Sequence, residues 1–396
     1  MDAARSAGSH DVAVIGAGVI GLACAWRAAE AGLSVVVLDR QAPGFGASGV
    51  AAGMLAPVTE AGFGEEDLLR LNVEAARLWP SFDAELRERS GIDTGYLQSG
   101  ALVIAADRDD AEELRRLHAF QRSLGLEAEW LTRSECRRRE SGLSPAVAGG
   151  IWAREDHHVD PRAVVRALAG ALERAGGAIV GGTDVKAIRA SGDRVTGVLT
   201  NQGAIAARRV VAAAGCWSPE IGGLPADWRA PVRPVKGQIL RLRAARGVLP
   251  IASSVVRTPR CYIVARADGE VVIGATVEER GFDTAVTADG VHRLLEAARE
   301  VLPDVGELEL VETAARLRPG TPDNAPLIGA GALEGLVWAT GHYRNGVLLA
   351  PVTADAVLRT LVDGAPAPAG ERFSPERFGA QPARGGAREP ELAAKA

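Results

Sequence analysis

The sequence predicts an α/β protein in which a parallel-sheet domain is interwoven with a smaller α+β domain built on an antiparallel sheet. Three observations predict it. Buried-strand patterns alternate with helical patterns at the start of the chain and again after position 150. Between 234 and 319 the texture changes to alternating strands around one helix. Strand-then-helix order returns at 335–357. With 396 residues the chain is longer than one hydrophobic core usually serves. The expected division is a discontinuous first domain (9–84, 150–225 and 311–375) and a second, substrate-side domain (85–149 and 226–310).

Taken in order, DVAVIGAG (11–18) is an apolar strand entering glycines, VIGLACAWRAAEAG (19–32) has helical spacing, and LSVVVLDR (33–40) is a second buried strand. Charged amphipathic helices are expected over 64–90 and 107–140. The segment 150–177 reads as a short strand and a helix, with Asp160 as cap and Pro161 in the first turn. Strands follow at 178–190, 193–203 and 206–215. Further strands are expected at 234–243, 260–276 and 307–319, with a helix at 289–303. A last helix is expected to begin near Gly346. The tail, 379–396, is poor in bulky apolar residues and is expected to be disordered.

Composition narrows the function classes. Net charge is −5 with both signs interspersed, which offers nothing to nucleic acid or a membrane surface. Cys24, Cys136, Cys216 and Cys261 are too far apart in sequence for a CxxC or zinc pattern and read as reduced thiols. The N-terminus has no signal-peptide pattern, and the charge-poor stretch at 12–26 is too short to span a bilayer. A soluble, cytoplasmic protein is expected. His157 and His158 are adjacent with no neighbouring ligands, so no metal site is expected.

GAGVIG (16–21) is G-x-G-x-x-G between a strand and a helix, the context that gives this short motif meaning. Gly16 makes the turn, Gly18 admits a pyrophosphate to the backbone, and Gly21 lets helix and sheet approach closely. Asp39 ends the next strand, placed to accept hydrogen bonds from a ribose and to disfavour a 2′-phosphate. This makes the first domain Rossmann-like. NAD and FAD both fit so far. The uncharged loop GFGASGVAAGMLAP (44–57) favours FAD, because small residues can lie flat along an extended cofactor and give N–H groups to a flavin ring. RRVVAAAGCWS (208–218) is a buried strand reaching the same edge.

These segments, with HVDP (158–161), PVKGQ (234–238), LRPGTPDNAPLIG (317–329) and GHYRNGVLLAP (341–351), occur in an order that resembles the D-amino-acid oxidase family of flavoproteins, and within it the branch that oxidises glycine. The resemblance covers about residues 11–375. It implies noncovalent FAD, since no cysteine follows Cys261 to tether a flavin. It places FAD contacts at Val19, Ile20, Asp39, Arg40, Ala47, Ser48, Ala52, Gly53, Met54 and Val185, and along His342, Tyr343, Arg344, Asn345, Gly346, Val347 and Leu348. It places Tyr262, Arg318 and Arg344 around a substrate carboxylate. It further implies a homo-oligomer that converts small amino acids to imine or oxoacid, ammonia and hydrogen peroxide with molecular oxygen, and a hand-off of the imine to a thiazole synthase for thiamine. A dehydrogenase using another acceptor is the alternative. Two positions depart from the family pattern: Arg260 stands where a histidine can occur, and Val277 where a methionine can line the pocket.

The chemistry expected of such a site is modest. It must orient an amine and its α C–H, and the cofactor performs the oxidation. An arginine fork suits a carboxylate. Taken singly, Arg318 also reads as a solvated surface arginine and Tyr262 as ordinary sheet packing. Glycines 341 and 346 permit close backbone approach, and a helix N-terminus there would favour negative charge.

Overall fold

A computed structural model describes residues 9–245, 250–364 and 372–378. The expected disordered tail at 379–396 lies outside the described residues. The chain opens with β1 (His10–Ile15), α1 (Val19–Glu30) and β2 (Val35–Leu38). Next come β3 (Met54–Leu55), α2 (Glu66–Ser90), β4 (Ala101–Ala105), α3 (Arg108–Ser123), β5 (Ala128–Leu131), α4 (Arg133–Arg139) and β6 (Gly149–Ala153). The middle holds β7 (His157–His158), α5 (Pro161–Arg174), β8 (Ala178–Val180), β9 (Val185–Ser191), β10 (Arg194–Thr200) and β11 (Gly203–Ala212). It ends with β12 (Arg233–Arg243), β13 (Val255–Arg257), β14 (Tyr262–Ala265), β15 (Glu270–Gly274), α6 (Ala288–Val301), β16 (Glu309–Gly320), β17 (Leu327–Ala330), β18 (Leu336–Thr340) and α7 (Ala350–Asp363).

The first sheet runs β17-β18-β11-β1-β2-β8, parallel except for β17, with the β9–β10 hairpin attached to β11. β1 and β2 are continuous apolar runs because helices cover the sheet: α1, α5 and α7 bury Trp26, Leu168 and Val357 against it. β1 lies between strands reached by opposite crossovers, so its C-terminal end opens a crevice at the Gly16 turn. α5 begins as its sequence requires, with the Asp160 carboxylate accepting from Arg162 N–H and Pro161 in the first turn.

The second sheet runs β16-β12-β15-β14-β13-β4-β6-β5. It is antiparallel except where β13 meets β4. Two expected segment ends differ from the strand pairing. The expected division puts most of 149–153 and of 309–320 in the first domain, yet β6 and β16 belong to this second sheet, in line with the alternating pattern read over 307–319. The reason is pairing over length: β12 and β16 stay paired from Arg233–Gly320 to Arg243–Glu309.

The expected helix over 107–140 is two helices around a strand. Gly125 at φ 74° follows the end of α3, residues 128–131 pair with β6, and Thr132 with Glu135 forms a capping box that starts α4. The last helix begins at Ala350 rather than near Gly346. Tyr343 takes φ 46°, and the chain turns through 346–349 before Pro351 enters the first turn.

Candidate active site

One large cavity, about 840 Å³, runs from the Gly16 turn to the face of the second sheet. The glycines of the first turn make its floor. A Cβ at Gly16 would lie 2.5 Å from Ala213 O, and one at Gly21 would lie 2.0 Å from Gly16 O. Gly16 and Gly18 line the cavity, with Val19 and Ile20 beside them. Gly21 does not line it and acts as expected, by letting α1 close on the turn. Asp39 also lines it. One of its oxygens accepts from Ala17 N–H at 2.7 Å and the other from Gln41 N–H at 2.8 Å. Ser48 Oγ accepts from Val19 N–H at 3.0 Å, so the 44–57 loop caps α1, which has no side-chain cap of its own.

Arg40, Ala47, Ala52, Gly53, Met54 and Val185 line the same cavity. From the other side come His342, Tyr343, Arg344, Asn345, Gly346 and Val347. Leu348 is the exception on that segment. It is buried in the helical core, and its carbonyl accepts from Trp79 Nε1 at 2.8 Å. That bond anchors the segment from behind. The N–H groups of Gly346 and Val347 make no hydrogen bond among the described residues. Bare N–H groups of this kind suit electron-rich atoms, although the helix proper begins later.

Tyr262 and Arg318 face the far end of the cavity. Their positions depend on two glycines. A Cβ on Gly237 would lie 2.3 Å from Arg318 Nη1, and a Cβ on Gly274 would lie 2.2 Å from the Tyr262 hydroxyl. Both glycines sit in the strands next to the residues they accommodate. Arg318 Nη1 donates to Thr276 O at 3.0 Å and to Lys236 O at 3.4 Å, and no carboxylate of the described residues pairs with it. Enclosure pushes the Tyr262 hydroxyl above its usual range, with Arg318 pulling the other way. Tyr262 is therefore a neutral donor.

Arg344 is engaged differently. Its guanidinium lies 3.5 Å from Glu60 and 3.8 Å from Glu65. Arg257 also pairs with Glu60, at 2.5 Å. The positive charge expected of Arg344 is thus largely neutralised in place, while Arg318 keeps its own. No sequence pattern marks Glu60, which lines the cavity between two arginines from distant strands and loops. None marks Asp156 either, whose carboxylate accepts from the N–H groups of Val58 and Thr59 and from the Thr59 hydroxyl. Burial pushes Asp156 up to about 6.

The two departures from the family pattern lie away from the cavity. Arg260 points outward and pairs with Glu300, and Val277 is 62% exposed. His158 is buried with Nδ1 3.1 Å from Ser99 Oγ, and among the described residues no group of three metal-binding side chains occurs. Cys216 lines the cavity, and burial pushes its thiol up to about 12, which disfavours the reactive thiolate.

Residues 11–359 match the profile of a family described as FAD dependent oxidoreductase, DAO. The chain belongs to the DAO family of FAD-dependent oxidoreductases. It is 37% identical over 369 residues to a glycine oxidase of Geobacillus kaustophilus, covering 90% of this chain and 96% of that protein. It is 36% identical over 373 residues to the bifunctional protein ThiO/ThiG of Trichormus variabilis, covering 93% of this chain but 55% of that one. The chain thus spans about half the length of that fused relative. The crystal structure of the Geobacillus kaustophilus glycine oxidase superposes with a TM-score of 0.85 at 34% identity, over 95% of this chain and 100% of that chain. FAD is the cofactor of this oxidoreductase, and the cavity fits it. Gly16 and Gly18 of the glycine turn line it without side chains, and the N–H groups of Gly346 and Val347, which also line it, make no hydrogen bond among the described residues.

Proposed function

We propose that this oxidoreductase oxidatively deaminates glycine and other small amines or D-amino acids, giving an imine that hydrolyses to an oxoacid and ammonia. The observation that carries this reading is the Arg318 guanidinium, which faces the cavity with no acidic partner among the described residues, next to the neutral hydroxyl of Tyr262. An unpaired, half-enclosed guanidinium with a neighbouring donor is a carboxylate clamp. The chemistry that FAD supplies when bound is acceptance of a hydride and transfer of the electrons to oxygen, which yields hydrogen peroxide. The chain's own residues hold the substrate carboxylate, align its α-carbon and exclude water from the enclosed end.

On this reading the first sheet and its helices form the cofactor domain and the second sheet the substrate domain. Arg318 and Tyr262 bind the carboxylate, with Arg344 and Glu60 closing the wall. FAD is held without a covalent bond. The fused ThiO/ThiG relative supports a link to thiazole synthesis, with the imine passed on rather than hydrolysed, in a cytoplasmic homo-oligomer. Among the described residues no helix is long and apolar enough to cross a membrane.

A second reading is supported by a 30% identical relative over 87% of the chain, a hydrogen cyanide synthase subunit, HcnC, of Pseudomonas aeruginosa. On that reading this chain is a dehydrogenase that gives its electrons to a quinone or protein. Stopped-flow mixing of glycine-reduced enzyme with air-saturated buffer separates the two. Rapid reoxidation with stoichiometric peroxide is expected. Reoxidation much slower than turnover with an artificial quinone, with little peroxide, establishes the dehydrogenase instead. A substrate panel with no turnover of glycine, sarcosine or D-alanine overturns the substrate class.

A further inference from the structure

Behind the 44–57 loop, on the side away from the cavity, three arginines converge on its backbone. Arg266 follows β14, Arg241 lies on β12 and Arg162 lies on α5. Arg266 Nη2 donates to Ala52 O at 2.9 Å and Nη1 to Val159 O at 2.8 Å. Arg162 Nε donates to Gly49 O at 2.7 Å, and Arg241 Nη2 reaches the same oxygen at 3.3 Å. Arg241 is 1% exposed and Arg266 7% exposed, so two substrate-side guanidiniums are buried against the cofactor-side loop.

Their charge is matched. Glu270 accepts from Arg241 at 2.9 Å and from Arg266 at 2.8 Å, Glu312 accepts from Arg162 at 2.8 Å, and Asp160 lies 4.0 Å from Arg266 as the third carboxylate. A cluster neutralised in this way has little charge left to attract an anion. What it offers is direction, because each guanidinium fork fixes a carbonyl in one plane. Burying two arginines is costly, and satisfied backbone acceptors are what offset that cost.

The Ala52 carbonyl and the Gly53 N–H lie on opposite edges of one planar peptide unit. Arg266 draws the carbonyl outward, so the N–H is turned the other way. Gly53 is buried and lines the cavity, and its N–H makes no hydrogen bond among the described residues. A buried donor without a partner needs an acceptor. Gly53 itself is packed too tightly to swing: a Cβ there would lie 2.1 Å from Val159 O, the carbonyl that Arg266 also holds.

We propose that Arg266, with Arg241 and Arg162, is a positioning residue set that fixes the 49–53 backbone so that the Gly53 N–H is presented to the flavin. This rests on the FAD reading of the cavity and adds that the second sheet, through Arg266 and Arg241, sets the pose of the loop together with Arg162 of α5. The substrate-side sheet that carries Tyr262 and Arg318 then also aligns the cofactor against them, through one continuous framework.

The test uses the full-length holoenzyme and its apoprotein. Arg266→Met removes both carbonyl bonds, Arg266→Lys retains charge and one bond, and Arg162→Met releases Gly49 O from a side chain that is 36% exposed and tolerant of change. FAD affinity is measured by titrating apoprotein, and the shape and position of the visible flavin bands are recorded. Arg266→Met is expected to weaken FAD binding about tenfold or more, the effect of losing charge-assisted hydrogen bonds, and to shift the bands. Arg266→Lys is expected to recover part of both, and Arg162→Met to show a smaller change of the same kind. Wild-type affinity and wild-type bands in both Met variants, with only thermal stability lowered, overturn the proposal. If Arg266→Met does not fold, Arg162→Met decides alone: an unchanged spectrum and affinity overturn it. A wild-type protein that takes up no FAD would instead overturn the cofactor reading.

Discussion

The Arg318 guanidinium occupies the space in which a side chain at Gly237 would stand, 2.3 Å from the position of that missing Cβ. The two residues come from paired strands, β16 and β12, where Gly237 lies opposite Arg316, two residues before Arg318. The glycine is therefore part of the carboxylate clamp although it carries no chemistry. Gly237→Ala is expected to push the guanidinium out of its place at the far end of the cavity. A displacement on the order of 1 Å costs about 100-fold in rate, so kcat/KM for glycine should fall by about that factor while FAD content stays at the wild-type level. Near-native kcat/KM in the Gly237→Ala variant shows that Arg318 does not act from this position.

Removing the arginine itself should be more severe. Arg318→Ala is expected to cost roughly 3–5 kcal/mol in kcat/KM, the penalty for leaving a buried charge without its partner. Arg318→Lys keeps the charge but loses the planar fork, and should recover only part of the loss. Flavin absorbance per mole of protein should match wild type in both. Steady-state kinetics beside an absorbance spectrum checks this, and a loss of flavin equal to the loss of activity would move Arg318 to the cofactor.

The Gly21 position separates cofactor binding from substrate binding in the opposite sense. A Cβ there would lie 2.0 Å from Gly16 O, on a stretch of backbone with no flexible side chain to yield. Gly21→Ala should force α1 away from the turn, at about 1–3 kcal/mol of overpacking. FAD binding should weaken about tenfold or more, and the purified protein should be paler than wild type. Equal FAD occupancy after dialysis would contradict it. Acid precipitation of wild type should release all flavin into the supernatant.

His342 gives a pH-dependent stability with a definite sign. The ring is buried, Nε2 lies 3.0 Å from Thr353 Oγ1, and burial drives its pKa down to about 3 from 6.5. The unfolded chain therefore takes up a proton at a higher pH than the folded one. The stability this group contributes is complete above 6.5 and is lost as pH falls toward about 3, by up to about 1.4 kcal/mol per pH unit. His158, driven down to about 4, acts in the same direction, and Asp156, pushed up to about 6, acts in the opposite one. The comparison of wild type with His342→Gln isolates the one ring. Urea unfolding between about pH 7 and about pH 5 should show a shallower decline in the variant; parallel declines would mean that His342 is not held neutral.

The sequence by itself determined the βαβ opening, the glycine turn, Asp39 and the 44–57 loop. Each of these rests on a local pattern: an apolar run, a glycine spacing or a cap readable within a few residues. Most of the proposed FAD contacts came from the family resemblance rather than from a local pattern, and of those named Gly21 and Leu348 do not line the cavity but pack instead. Tertiary structure decided what local pattern cannot carry. The alternating pattern marked 307–319 as a strand, but where the domain boundary falls beside it depends on which partner strand keeps register with it, and β12 settled that over its whole length. Glu60, Arg257 and Asp156 were invisible because they are ordinary surface residue types in sequence, brought together by elements far apart in the chain. Gly237, Gly274 and the Arg241–Arg266–Arg162 set were invisible for a related reason. A glycine that makes room, or an arginine that holds a distant carbonyl, has no meaning until the neighbour it serves is placed beside it, and only the packed sheets supply that neighbour.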